Sequence, residues 1–151
     1  MDVADRVVLI TGASSGVGAA LATQLGEMGA RVVVNYSRSA EAAEAVVAKL
    51  EEAGGRALAV QADVSEEADC KRLVATTLEH FGQLDVLVNN AGTTTFVPHD
   101  QLDALTEDIW LRTLRVNLIG AFIMSREAAP HIEAVGGGEI VMTSSIASMT
   151  T

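Results

Sequence analysis

Short, unbroken apolar runs punctuate the chain: Val7-Val8-Leu9-Ile10, Val32-Val33-Val34 and Val86-Leu87-Val88. Between them lie longer stretches where apolar and charged residues recur at helical spacing. Continuous apolar runs of this length suit strands covered on both faces, and the mixed stretches suit amphipathic helices. Turn and cap chemistry sets the boundaries. A first strand ends near Thr11, and a helix runs from about Gly16 to Met28, with Gly29 as its stop. Arg31 to Tyr36 is a second strand. Ser39 is placed to cap a helix that runs to Ala53, where Gly54-Gly55 end it. Arg56 to Gln61 is a third strand, and Ser65-Glu66-Glu67-Ala68 opens a helix that reaches Phe81 and stops at Gly82. Asp85 to Asn89 is a fourth strand. A loop through Pro98 leads to a short helical segment around Thr106, and a long helix covers Leu111 to Ala134, with Pro130 expected to kink or shorten it. Gly136-Gly137-Gly138 forms a turn, and Glu139 to Thr143 is a fifth strand.

Strands alternating with helices predict right-handed βαβ crossovers, hence an α/β fold. The expected architecture is a doubly wound parallel sheet of five strands in the order 3-2-1-4-5, with helices on both faces, as a single domain over residues 1–151. No internal repeat or linker divides it. In such a sheet a ligand binds at the carboxyl ends of strands one and four, where the strand order reverses. The two most unusual stretches fall there: Thr11-Gly12-Ala13-Ser14-Ser15-Gly16-Val17-Gly18 after the first strand and Asn89-Asn90-Ala91-Gly92 at the end of the fourth.

A strand, a glycine-rich turn and a helix start together aim backbone N–H groups and the positive end of a helix dipole at one spot, which suits a phosphate. Gly12 permits the tight turn, Gly16 lets a ligand approach the backbone and Gly18 allows close packing. The spacing is G-x-x-x-G-x-G. It is therefore neither a P-loop, which needs a following Gly-Lys-Ser/Thr, nor the G-x-G-x-x-G fingerprint. Gly12-Ala13-Ser14-Ser15-Gly16 also satisfies the G-x-S-x-G elbow of serine hydrolases, with His99 or His131 as the candidate base. That reading leaves Asp63, Asn89 to Gly92 and Asn117 unexplained. A methyltransferase would want an acid after the second strand, which is missing.

Composition narrows the partners. The 151 residues are 49% apolar and carry 20 acids against 10 bases, a formal net charge of −10. A globular core is expected, and nucleic acid and anionic membrane surfaces are disfavoured. Glu41, Glu44, Glu51, Glu52, Glu66 and Glu67 read as solvated helix faces. No apolar run reaches membrane-spanning length and Met1 to Asp5 has no signal-peptide pattern, so a cytoplasmic location is expected. The single cysteine, Cys70, offers neither a disulfide framework nor a metal cluster and is expected to pack on a helix; no metal site is anticipated. Asn35-Tyr36-Ser37 fits a glycosylation sequon, a coincidence in a cytoplasmic protein. An anionic ligand would have to be held locally, by backbone amides and a few arginines.

The end of the second strand bears on which nucleotide binds. A dinucleotide site usually has an acid here for the ribose 2′-OH. The strand ends Asn35-Tyr36-Ser37-Arg38 instead. Arg38 and the Ser37 hydroxyl suit a 2′-phosphate, so NADP(H) is favoured over NAD(H).

Taken together, these motifs resemble the short-chain dehydrogenase/reductase family, over the whole chain, and its 3-oxoacyl-carrier-protein reductase and sugar-dehydrogenase members above all. The resemblance implies a Rossmann-type fold. Thr11-Gly12-x-x-x-Gly16-x-Gly18 matches the cofactor turn, Asp63-Val64 the adenine-contacting pair and Asn89-Asn90-Ala91-Gly92 the fourth-strand motif. Asn117, in Arg115-Val116-Asn117-Leu118, sits where the family has an active-site asparagine, which would hold a water in a proton relay. Ser144-Ser145-Ile146-Ala147 matches the catalytic-serine segment, with Ser145 the equivalent of the catalytic serine; Ser148 stands where many members have glycine. The implied chemistry is hydride transfer between a nicotinamide and a small-molecule carbonyl or alcohol, with a tyrosine of lowered pKa moving the proton.

That tyrosine and its lysine, in Tyr-x-x-x-Lys, fall beyond Thr151 in the family pattern. The only tyrosine, Tyr36, belongs to the second strand, and Lys49 and Lys71 read as helix surface. The 151 residues alone are therefore expected to bind cofactor without reducing a ketone, and a non-catalytic nucleotide-binding or interaction domain is the alternative. An uncovered fifth strand, Ile140-Val141-Met142, and exposed Phe122 and Met124 on the long helix are expected, which point to a homo-oligomer.

Overall fold

The computed structural model describes residues 2–145. Ile146, Ala147 and Ser148, named above with the serine segment, lie outside the described residues. The strands are β1 (Val7–Ile10), β2 (Arg31–Tyr36), β3 (Arg56–Gln61), β4 (Val86–Asn89) and β5 (Glu139–Met142). They form one sheet in the order β3-β2-β1-β4-β5, with every pairing parallel. Helices α1 (Gly16–Glu27), α2 (Ala40–Glu52), α3 (Glu67–Phe81), α4 (Glu107–Leu114) and α5 (Ala121–Ala134) make the crossovers.

The period-two geometry of a strand divides the apolar runs between two cores. Val8, Ile10, Val32, Val34, Val86 and Val88 face one way, against Ala22 of α1 and Ala43 and Leu50 of α2. Val7, Leu9, Val33 and Leu87 face the other, against Leu73 and Val74 of α3 and Met124 and Ala128 of α5. This explains why the runs are unbroken: a strand covered on both faces has no solvent side for polar residues.

The amino end of the sheet is tied by a carboxylate. Asp85, just before β4, is fully buried, and it accepts hydrogen bonds from the Val7 amide (2.8 Å), the Gln83 side-chain amide (2.6 Å) and the Arg6 guanidinium (2.7 Å). Burial pushes its carboxyl up, but these donors outweigh that and hold it below its ordinary range.

Several expectations need correction. Ser39 stands at the start of α2, but its side chain makes no capping hydrogen bond. Ser65 precedes α3 rather than opening it, because its hydroxyl is committed to Asp63. The segment around Thr106 and the long helix are parts of one succession: Thr106 precedes α4, and a π-helical segment, Arg115–Gly120, joins α4 to α5. α5 runs on through Pro130 to Ala134. Met124 is fully buried against the sheet, although Phe122 is 63% exposed as expected, because the two residues lie on different faces of α5. Ile140, Val141 and Met142 are all exposed.

Candidate functional site

The carboxyl ends of β1 and β4 are stitched together by side chains. The Thr11 hydroxyl donates to the Val88 carbonyl (3.3 Å) and accepts from the Asn90 and Ala91 amides (both 3.0 Å). The Asn90 side chain returns two bonds, to the carbonyls of Thr11 (3.0 Å) and Gly12 (3.1 Å). Asn35 completes the frame from β2. It accepts from the Gly12 amide (3.1 Å), while its own amide reaches the carbonyls of Val60 (3.2 Å) and Ala62 (3.1 Å). The sequence reads this residue only as a strand end and a coincidental sequon, not as part of the frame. Its signal is a polar side chain closing an apolar strand run, which burial obliges to find partners. With its amide so engaged and buried, Asn35 is no glycan acceptor in the folded chain.

Two of the glycines take the turn and packing roles their spacing suggests. Gly12 has φ +63°, and a Cβ there would come within 2.9 Å of the Ala91 backbone. At Gly18 a Cβ would meet the Asn90 amide nitrogen at 2.5 Å and the Gly12 carbonyl at 2.6 Å. Gly16 has φ +57° but opens onto empty space. No side chain caps the start of α1 among the described residues. Its first-turn amides, which have no intrahelical acceptor, therefore face an open approach over the loop.

A cleft of about 450 Å³ extends from this loop along the sheet's carboxyl edge. Of the residues singled out by sequence, Gly12, Ser14, Ser15, Tyr36, Ser37, Arg38, Asp63, Val64, Asn90, Ala91 and Gly92 line it. Thr11, Gly18 and Asn89 are buried behind it as its frame, and Asn89 donates to the Ser125 hydroxyl (3.0 Å). Gly16 and the exposed Val17 stand at the helix mouth. Arg38 is exposed at the β2 end of the cleft and has no ion pair among the described residues.

At the β3 end, Asp63 is the hub of a small network. Its Oδ1 accepts from the Ser65 amide (3.0 Å) and hydroxyl (2.7 Å), and its Oδ2 accepts from Arg112 of α4 (2.9 Å). Arg112 also donates to the Ser65 hydroxyl. Burial pushes the Asp63 carboxyl up, but the bonds from Ser65 and Arg112 prevail and hold it below the usual range, as a carboxylate. Arg112 lines the cleft and was not singled out by sequence.

The π-helical segment carries Asn117. Such segments are rare and are often found at functional sites. The Asn117 side chain accepts from the Thr93 amide (2.8 Å) and donates to the Thr93 carbonyl (2.9 Å), so it fixes the chain just past Gly92. Gly120 lets the segment press against the Asp63-Val64 turn, since a Cβ there would lie 2.5 Å from the Val64 carbonyl. Ser145 follows β5, whose pairing continues through the Thr143 amide to the Asn89 carbonyl (2.9 Å). It therefore lies at the same end of the sheet as the cleft, without lining it. Of the two histidines offered as a hydrolase base, His131 stands apart from Ser14. His131 is in the last turn of α5, which leads into the start of β5, so it belongs to the opposite end of the sheet from Ser14.

A parallel sheet with an uncapped glycine loop at its switch point, and a cleft running across the carboxyl ends of β1, β2, β3 and β4, has the architecture of a doubly wound, Rossmann-type α/β protein. The sequence matches the family described as short chain dehydrogenase over residues 6–151, and the chain belongs to that family. It is 50% identical over 141 residues to a Streptomyces violaceoruber protein named for ketoacyl reduction in granaticin polyketide synthesis; the match covers 93% of this chain and 55% of that protein. The crystal structure of a short chain dehydrogenase from Burkholderia cenocepacia in complex with NADP superposes with a TM-score of 0.88 at 39% identity, covering all of this chain and 60% of that one. A 7α-hydroxysteroid dehydrogenase complexed with NADH and a 7-oxo bile acid gives a TM-score of 0.90 at 32% identity, covering 99% and 56%. The chain thus spans little more than half the length of the relatives it matches.

Proposed function

We propose that this chain is the cofactor-binding portion of an NADP(H)-dependent oxidoreductase that interconverts a small-molecule carbonyl and alcohol. The observation that carries the cofactor choice is the β2 end of the cleft. Ser37 and Arg38 line it, no acid does, and Arg38 has no ion pair among the described residues. A ribose 2′-phosphate would supply the missing partner.

When bound, the nicotinamide supplies or accepts a hydride at the carbonyl or alcohol carbon. The chain's own residues bind and orient. The glycine loop with Thr11, Ser14, Ser15 and Val17 presents amides to the pyrophosphate, Tyr36 to Arg38 hold the phosphorylated ribose, and Asp63 and Val64 meet the adenine. Asn89 to Gly92 shape the nicotinamide side, where Asn117 anchors Thr93 and helps hold a relay water. Ser145 hydrogen-bonds the substrate oxygen. We assign the protein to the cytoplasm, and as a homo-oligomer; exposed Trp110, Leu118 and Phe122 support the second assignment.

Fluorescence titration of the 151-residue polypeptide with NADPH and NADH tests this. NADPH is expected to bind about tenfold more tightly, and Arg38→Ala to erase that preference. No ketone reduction is expected from these residues alone, since they contain no Tyr-x-x-x-Lys. Tighter binding of NADH would overturn the cofactor choice, and ketone turnover would overturn the division of labour.

A further inference from the structure

Asp63 could accept a hydrogen bond from the adenine amine only if its carboxylate is held in place, and the chain supplies a device for that. Three donors converge on it: the Ser65 amide, the Ser65 hydroxyl and Arg112. The Asp63 amide is itself fixed, donating to Asp69 at 2.8 Å. Arg112 reaches across from α4, 49 residues away, and bridges to the Ser65 hydroxyl as well. It therefore holds Oδ2 directly and Oδ1 through Ser65, and leaves the remaining lone pair of Oδ2 to the cleft that both residues line.

We infer that Arg112 is a positioning residue for base recognition: through Asp63 and Ser65 it makes the site select adenine over a purine lacking the exocyclic amine. The inference rests on the dinucleotide reading above. An unlocked carboxylate could rotate toward solvent, and the cost of ordering it would fall on ligand binding. Arg112 also sits in the helical succession that leads to Asn117, so the same bond ties the adenine end of the cleft to the segment that fixes Thr93.

The test compares NADP with its deamino analogue, in which hypoxanthine puts a carbonyl oxygen where adenine has its amine, by isothermal titration of the 151-residue polypeptide. The unmutated chain is expected to favour NADP by about tenfold or more, as for a lost hydrogen bond to a charged group. Arg112→Gln should cut that preference to about twofold while leaving affinity for the deamino analogue within about threefold. Arg112→Lys, which keeps a cation but not the fork, should be intermediate. Ser65→Ala should move the preference in the same direction as Arg112→Gln, and it carries the test if an Arg112 variant fails to fold. A preference unchanged in both variants, an equal loss for both ligands, or no preference in the unmutated chain would overturn the inference. An unmutated chain that binds neither ligand would instead sink the dinucleotide reading, and this inference with it.

Discussion

Asp85 ties the amino ends of β1 and β4, and a one-atom change there should cost the fold measurable stability. In Asp85→Asn the shape is kept, and the remaining oxygen can still accept from Val7 and Gln83. Two hydrogen bonds to a charged acceptor become neutral ones, each weaker by about 1 kcal/mol, and the Arg6 pair is lost. Arg6 is 39% exposed and can turn to water, and removing a buried charge recovers some desolvation. The net loss comes to about 2 kcal/mol. With a urea dependence of about 2 kcal/mol/M, the unfolding midpoint should fall by about 1 M. Far-UV circular dichroism in urea at pH 7 measures it. The pH dependence gives an independent check. The folded-state carboxyl titrates below its ordinary value of 3.8, so its contribution is complete above that value and is lost as pH falls through the folded one. The curves for the unmutated chain and the Asp85→Asn variant should therefore converge in acid. A midpoint shift below about 0.3 M at pH 7, or a gap that widens in acid, would refute the account.

Other outcomes follow from the same geometry. Gly18→Ala puts a methyl group 2.5 Å from the Asn90 amide nitrogen; it should cost about 1–3 kcal/mol in thermal unfolding and weaken nucleotide binding, and a neutral result would mean the loop yields. Gly120→Val drives a side chain into the Val64 carbonyl and should lower the melting temperature and the affinity for NADPH together. Cys70 is buried, and burial, with the nearby carboxylates of Asp69, Glu127 and Asp63, pushes its thiol up to about 11. Iodoacetamide at pH 8 should leave it unmodified in the native protein and label it fully in urea, as mass spectrometry would read.

The sequence made some features legible and hid others for the same reason. Unbroken valine runs and glycine stops are local, and local sterics alone turn them into covered strands and tight turns. The turn role of Gly12 and the packing role of Gly18 could be read before any coordinate, because each depends on the absence of a Cβ at a fixed spacing. Ser39 shows the limit: the right residue at a helix start still makes no capping bond. Phe122 and Met124 lie two positions apart on one helix, yet only packing decides which of them meets the sheet.

By itself the sequence determined the order of the strands, the parallel β3-β2-β1-β4-β5 sheet and the end of it at which the cleft opens. Periodicity, crossover handedness and the glycine turn leave few other solutions. Tertiary structure decided what happens between distant segments: Asn35 on the Gly12 loop, Asp85 beneath β1, Arg112 on Asp63 and the π-helical turn that sets Asn117 on Thr93. Each joins groups 23 residues or more apart. A polar side chain announces in sequence that it needs a partner, but which partner it finds depends on where the crossovers bring the chain back.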